Sequence, residues 1–336
     1  MKMKKFRYLW FVIILCIFCM TLFFARTRSK IEMRNRIYRQ WNQQYVVSKG
    51  KESYIRTTND SNQTVVLSEA QSYGMLITVE AAKKGQAHQE DFDRLYQYYL
   101  KHRLGDTQLM SWKQTISDGK VAAEDHNATD GDILKYNYNE ETGVLTVGNW
   151  ANGDSDFYHL MRTSDTLPAQ FQVFYEVTQD PKWLDIKEKM LKQLDTISSQ
   201  SNTGLLPDFI WVEEQGTRVA DPNTIESKYD GSYSYNACRL PYNLVQSKDP
   251  VSQKMVKKML GFFNDQRNLY AGYDLKGKAL NNHQAASFLA PIIFASEREK
   301  SYLKLVQQNK YIFTQDLPLN NYYDATMTTM IALELF

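Results

Sequence analysis

The chain has 336 residues and a net charge of +2, with 40 Lys and Arg interspersed among 38 Asp and Glu, so no basic face offers itself to nucleic acid and no acidic tail to a cationic partner. The length suits one large domain or two ordinary ones, and because no Pro/Gly/Ser-rich linker or low-complexity run divides it, one domain is expected. The 22 Tyr and 6 Trp belong mostly to packing, but rings with an apolar face and a polar edge also suit a carbohydrate groove.

The first element is an apolar run from Tyr8 to Phe24, preceded by Lys2, Lys4, Lys5 and Arg7 and followed by Arg26, Arg28 and Lys30. Its length is at the short end for a membrane span, and small residues spaced for signal cleavage are missing. The expectation is an uncleaved signal anchor over residues 1–30 and a domain over 31–336, single-pass in the cell membrane with the domain outside. Cys16 and Cys19 fall in the anchor, which leaves Cys238 without a disulfide partner.

Helical periodicity dominates the remainder, and Asn-Gly hairpins between alternating runs are scarce. A helix is predicted from Ser68 to about Lys84, opened by the capping-box pattern Ser68-x-x-Gln71 and striped by Met75, Leu76 and Val79. Further helices are predicted over 91–102, 165–178, 181–199, 235–246, 250–266, 283–296 and 322–335. Short connections favour antiparallel pairs, which a bundle, a solenoid or a helical toroid could use.

Two acidic features stand apart from packing: Glu69 at a helix start, and the loop Glu124-Asp125-His126-Asn127-Ala128-Thr129-Asp130-Gly131-Asp132. Glycoside hydrolysis needs one carboxylic acid to protonate the leaving oxygen and a second carboxylate to activate water or attack the sugar. The spacing of Asp125, His126, Asp130 and Asp132 fits no standard metal loop, and no metal or cofactor is expected.

Three ordered motifs, 68–75 (Ser-Glu-Ala-Gln-Ser-Tyr-Gly-Met), 109–113 (Leu-Met-Ser-Trp-Lys) and 128–132 (Ala-Thr-Asp-Gly-Asp), resemble glycoside hydrolase family 8. Matches at 163–165, 174–176, 202–209 and 235–241 extend the resemblance over roughly residues 35–336. It implies an all-α (α/α)6 barrel, a groove across one end, and inverting cleavage of β-1,4-linked polysaccharide. By position, Glu69 matches the proton donor and Asp130 the residue that holds the sugar at the cleavage point. Trp112, Tyr235 and Arg239 match groove-lining positions, and Asp165, Asn236 and Tyr323 complete the expected sugar-binding set.

Two departures stand out. The best-known branch places its basic aspartate where this chain has Asn236, and an amide cannot take a proton from water. Asp230, in a Gly/Ser/Tyr loop, is the expected substitute, with Asp208 and Asp165 behind it. Secondly, Asp132 leads quickly into the turn sequence 140–143 (Glu-Glu-Thr-Gly), so a barrel helix is expected to be shortened or missing there. The expected function is a monomeric endo-β-glycanase that trims a bacterial exopolysaccharide beside its synthesis machinery. The alternative is a catalytically silent polysaccharide-binding protein.

Overall fold

A computed structural model describes residues 2–58, 63–105, 108–125 and 133–336, without the side chains of 2–7 and 9. The first helix, α1 (Lys2–Tyr45), is unbroken, as a stretch free of Gly and Pro allows. Its apolar run is exposed, and by length and composition it could cross a membrane. Further along, Ile37, Trp41 and Tyr45 recur at helical spacing and are fully buried, so the same rod becomes part of the domain.

The domain is built of helices in two layers. The outer helices are the end of α1, α3 (Gln89–Lys101), α5 (Lys182–Ser199), α7 (Pro250–Asp265) and the short pair α9 (Leu303–Asn309) and α10 (Tyr311–Thr314). The inner ones are α2 (Ser68–Lys83), α4 (Pro168–Thr178), α6 (Leu240–Val245), α8 (Ala286–Glu299) and α11 (Tyr322–Leu335). Outer helices such as α5 and α7 bury one stripe, whereas α8 is buried from Ser287 to Ser296 and α11 from Asp324 to Leu333, as expected of helices enclosed on all sides. Three of their hydroxyls are satisfied inside the helix, with Thr328 and Thr329 donating to the carbonyls of Asp324 and Ala325 and Ser296 to that of Ile292.

The inner helices pack in the order α2, α11, α8, α6, α4. Between α4 and α2 no helix packs among the described residues. Asp132 lies outside the described residues, and Ile133–Asn137 form a single π turn followed by irregular chain as far as Leu160. Among the described residues, no α-helix lies between Ile133 and Leu160, where the sequence suggests a shortened one. Apolar side chains are exposed on the two flanking helices, at Leu76 and Val79 of α2 and at Val173 and Val177 of α4.

The mostly helical fold expected from the sequence is present, with short strands added at one end. A hairpin of β1 (Val46–Lys49) and β2 (Glu52–Ile55), a sheet of β3 (Thr64–Leu67), β4 (Lys113–Ser117) and β5 (Lys120–Asp125), and a sheet of β6 (Leu160–Arg162), β7 (Phe209–Glu213) and β8 (Gly216–Val219) are all antiparallel. These strands are three to six residues long, too short to show alternation, and they sit where inner helices begin. β3 runs directly into α2, and β6 into a 3-10 turn (Thr163–Asp165) before α4.

The capping box needs correction. Gln71 does not reach back to the helix start. It is fully buried, accepting from Ile55 N and donating to Ser53 O and Leu95 O, and so ties α2 to β2 and α3. Gly74 permits this close approach, because a Cβ there would lie 2.4 Å from Ile55 Cγ1.

Candidate active site

At the end of the barrel where the inner helices start, a cavity of about 490 Å³ is lined by Glu69, Ser72, Tyr73, Leu76, Trp112, Arg162, Ser164, Asp165, Leu167, Glu226, Asn236, Arg239 and Asn243. The architecture explains this gathering. Glu69 and Tyr73 lie on the first turns of α2, Arg162 to Asp165 on the link from β6 to α4, and Asn236 just before, with Arg239 at the end of, the 3-10 turn (Ala237–Arg239) that opens α6.

Polar contacts join these side chains into one chain. Arg239 donates from Nη1 to Glu69 Oε1 at 2.7 Å, and from Nη2 to Ser164 Oγ at 2.9 Å and Asn236 Oδ1 at 3.3 Å. Asn236 in turn donates from Nδ2 to Glu226 Oε2 at 2.8 Å, and Arg162 Nη2 donates to Glu226 Oε1 at 3.0 Å. Arg162 also approaches Asp165 Oδ2 at 3.4 Å. Glu69 and Glu226 are thus two carboxylates, each held by a guanidinium and separated by Arg239 and Asn236. Their side chains remain 39% and 45% exposed, so ligand and water can reach both. Such a pair, set apart rather than touching, can supply a proton at one point and remove one from water at another.

The model of glycosyl hydrolases family 8 matches residues 13–138 and 133–334. The chain belongs to this family. The two matched stretches overlap at the π turn. Among curated relatives, a beta-glucanase of Niallia circulans is 28% identical over 295 residues, covering 75% of this chain and 71% of its own length. An endoglucanase of Bacillus sp. (strain KSM-330) is 26% identical over 275 residues, covering 68% of this chain and 58% of its own. The beta-1,3-1,4-glucanase of Paenibacillus sp. X4 superposes with a TM-score of 0.77 at 22% identity, covering 92% of both chains. Rex8A of Paenibacillus barcinonensis gives 0.65 at 18% identity, covering 90% of this chain and 93% of its own. At such identities the superpositions establish the fold.

Within this family 8 chain, the cavity brings together Glu69, Trp112, Asp165, Asn236 and Arg239 from the residues expected on sequence grounds. Tyr235 stands exposed beside it, its ring edge against Phe288 at 5.1 Å between centroids. Tyr323 lies beneath, its hydroxyl donating to Tyr235 O at 3.3 Å. Burial pushes the Tyr323 phenol well up against the opposing charge of Arg239, which keeps it a neutral donor. Asp130 falls outside the described residues, as do His126 and Asp132.

Asp230 must be corrected. It is completely buried, and its carboxylate accepts from the backbone N–H groups of Ile225, Glu226 and Ser227 at 2.8–3.1 Å. A carboxylate so enclosed has no face toward water and closes a turn instead. Asp208 is also structural: Oδ1 accepts from Ser234 N, Asn236 N and Ala237 N at 3.1, 3.1 and 2.7 Å. Burial pushes its carboxyl up to about 7 against those three donors. It fixes the turn that carries Asn236.

Glu226, Arg162, Tyr73 and Ser164 were missed as site residues on sequence grounds. The available signal for Glu226 was its place four positions before Asp230, in the very loop suspected of carrying the second carboxylate. Side-chain direction within that loop decides between the two acids.

Proposed function

We propose that the chain is an inverting endo-acting hydrolase of a β-1,4-linked polysaccharide, with Glu69 as the acid and Glu226 as the base. The observation that carries this reading is the pair of accessible carboxylates in one cavity, each with its own arginine, linked through Asn236. The beta-glucanase and endoglucanase names of the curated relatives support a β-glucan as substrate.

In this mechanism the polymer crosses the barrel end, with a pyranose face stacked on Trp112 and hydroxyls bound by Arg239 and Asn243. Asp130 holds the sugar at the cleavage point. Glu69 protonates the glycosidic oxygen as that bond breaks. A water beside Glu226 loses a proton to the carboxylate and attacks the anomeric carbon from the other face of the ring, which inverts it. Arg239 must slacken its hold on Glu69 as the sugar enters, because the acid has to reach the cleavage point carrying a proton. Asn236 orients Glu226 through Nδ2 and takes no proton. The apolar run of α1 anchors the domain at the outer face of the cell membrane, where an exopolysaccharide is the available polymer.

Proton NMR of fresh products from mixed-linkage β-glucan tests the reading. The α-anomer should appear first from the β-linked polymer, and an initial β-anomer means retention and overturns the mechanism. Polymer binding with no reducing-end release would instead favour a silent binding protein.

A further inference from the structure

The path of α1 along the barrel fixes which way the groove points. Arg34, on the membrane side of the domain, donates from Nη1 to Phe336 O at the end of α11 (3.0 Å). Trp41 donates to Thr326 Oγ1 (3.0 Å), and Tyr45 donates to Leu319 O just ahead of α11 (2.9 Å), with its ring edge-on to Tyr322 at 5.2 Å. The helix therefore runs antiparallel to α11, from the end of the inner helices to their start. Glu69, Asn236 and Arg239 all lie at the starts, so the groove opens at the end farthest from the apolar run.

Two further observations make this orientation a fixed one. The stretch from Met1 to Lys49 contains neither Gly nor Pro, and α1 is one helix through the junction, so no hinge separates span from barrel. Arg36 also grips the domain, reaching Asp316 Oδ1, Phe313 O and Gln315 O at 2.9–3.0 Å. From Phe24, the last residue of the apolar run, to Tyr45 the helix extends about 32 Å.

We infer that the barrel stands on the bilayer by the end opposite its groove and holds the groove about 30 Å out, facing away from the lipid. The inference rests on the reading of α1 as an uncleaved anchor. Arg26, Arg28 and Lys30 then lie at headgroup level, suited to an anionic lipid surface. The polymer that fits such a groove extends well beyond the headgroups. A short saccharide attached to lipid, with its sugars at the bilayer surface, cannot reach it.

The test uses the full chain in vesicles of phosphatidylcholine and phosphatidylglycerol carrying an acceptor fluorophore on the lipid headgroup. With Cys16 and Cys19 replaced by Ser, donor dyes are placed through Lys83→Cys at the last turn of α2 or Lys228→Cys on the groove side. Energy transfer to lipid should be several-fold greater from position 83. Equal or reversed transfer overturns the inference. Ser29→Pro, which breaks the rod between span and barrel, should raise transfer from position 228 while hydrolysis of soluble β-glucan is unchanged; unaltered transfer would show that α1 does not set the orientation. Failure of the anchor reading is seen separately, as protein that does not sediment with the vesicles.

Discussion

Glu69 and Glu226 line the same cavity, yet the chain supports them in different ways. Glu69 rides on the first turn of a sixteen-residue helix whose outward face is locked to β2 and α3 through Gln71 and Gly74. Glu226 rides on an irregular loop whose shape comes from one buried carboxylate, Asp230, collecting three successive backbone N–H groups. The helix positions its carboxylate by a repeating backbone pattern, and the loop positions its own by a local side-chain clamp. The loop acid depends on a few contacts, so it should be easier to displace without unfolding the barrel.

The largest expected effects compare the two acids directly. Glu69→Gln and Glu226→Gln should each lower kcat by about 10²–10⁴-fold with unchanged Tm. Steady-state kinetics on β-glucan checks this. An active Glu226→Gln enzyme would remove Glu226 as base and leave the comparison without its second member.

Asp230→Ala probes the clamp. It leaves buried N–H groups without an acceptor, which should cost about 2–3 kcal/mol in denaturant unfolding. It should also lower kcat, because Glu226 loses its place, and Asp230→Asn should recover part of both by retaining an acceptor oxygen. If kcat falls without any change in stability, Asp230 acts in the chemistry and not as a clamp.

Two glycines sharpen the contrast at smaller cost. A Cβ on Gly231 would lie 2.3 Å from Ala220 O, a backbone atom, whereas one on Gly74 meets the Ile55 side chain at 2.4 Å. Each Gly→Ala change should cost about 1–3 kcal/mol through overpacking, measured as a fall in denaturation midpoint. Gly231→Ala should also cut activity, since the loop beside Glu226 must shift. Gly74→Ala should spare kcat, because α2 can lean as a unit while Arg239 keeps hold of Glu69.

The same contrast governs how much the sequence reveals. Glu69 is legible because its neighbours Ser68, Ala70 and Gln71 form a contiguous motif at the head of a helix. The inner helices α8 and α11 are legible through long apolar stretches that only enclosure on all sides explains. Glu226 is hidden because Glu226 and Asp230 offer the same chemistry four residues apart, and only the fold shows which carboxylate turns inward. The short strands are hidden for a related reason. β3 gains its partner from β4, a long way further along the chain, so neither segment carries a signal alone. The lack of an α-helix among the described residues from Ile133 to Leu160 matches the early turn sequence after Asp132, and Val173 and Val177 are exposed nearby.

The smallest effect concerns Asp208, which shapes the turn presenting Asn236 between the two acids. Burial holds its carboxyl at about 7, above the ordinary aspartate value near 4. Below about pH 4 both folded and unfolded chains carry the proton, and the contribution of this group to stability is at its greatest. As pH rises toward 7 the unfolded chain ionises freely and the folded one does not, so that contribution is lost across this window. Asp208→Asn keeps an acceptor for the three backbone donors and removes the titration. The variant's Tm relative to the parent should therefore be higher at pH 8 than at pH 5, by a few degrees. Should the parent instead gain on the variant as pH rises, the three N–H groups outweigh burial. Asp208 would then be an ionised clamp of the same kind as Asp230, and one electrostatic device would serve both turns on either side of Glu226 and Asn236.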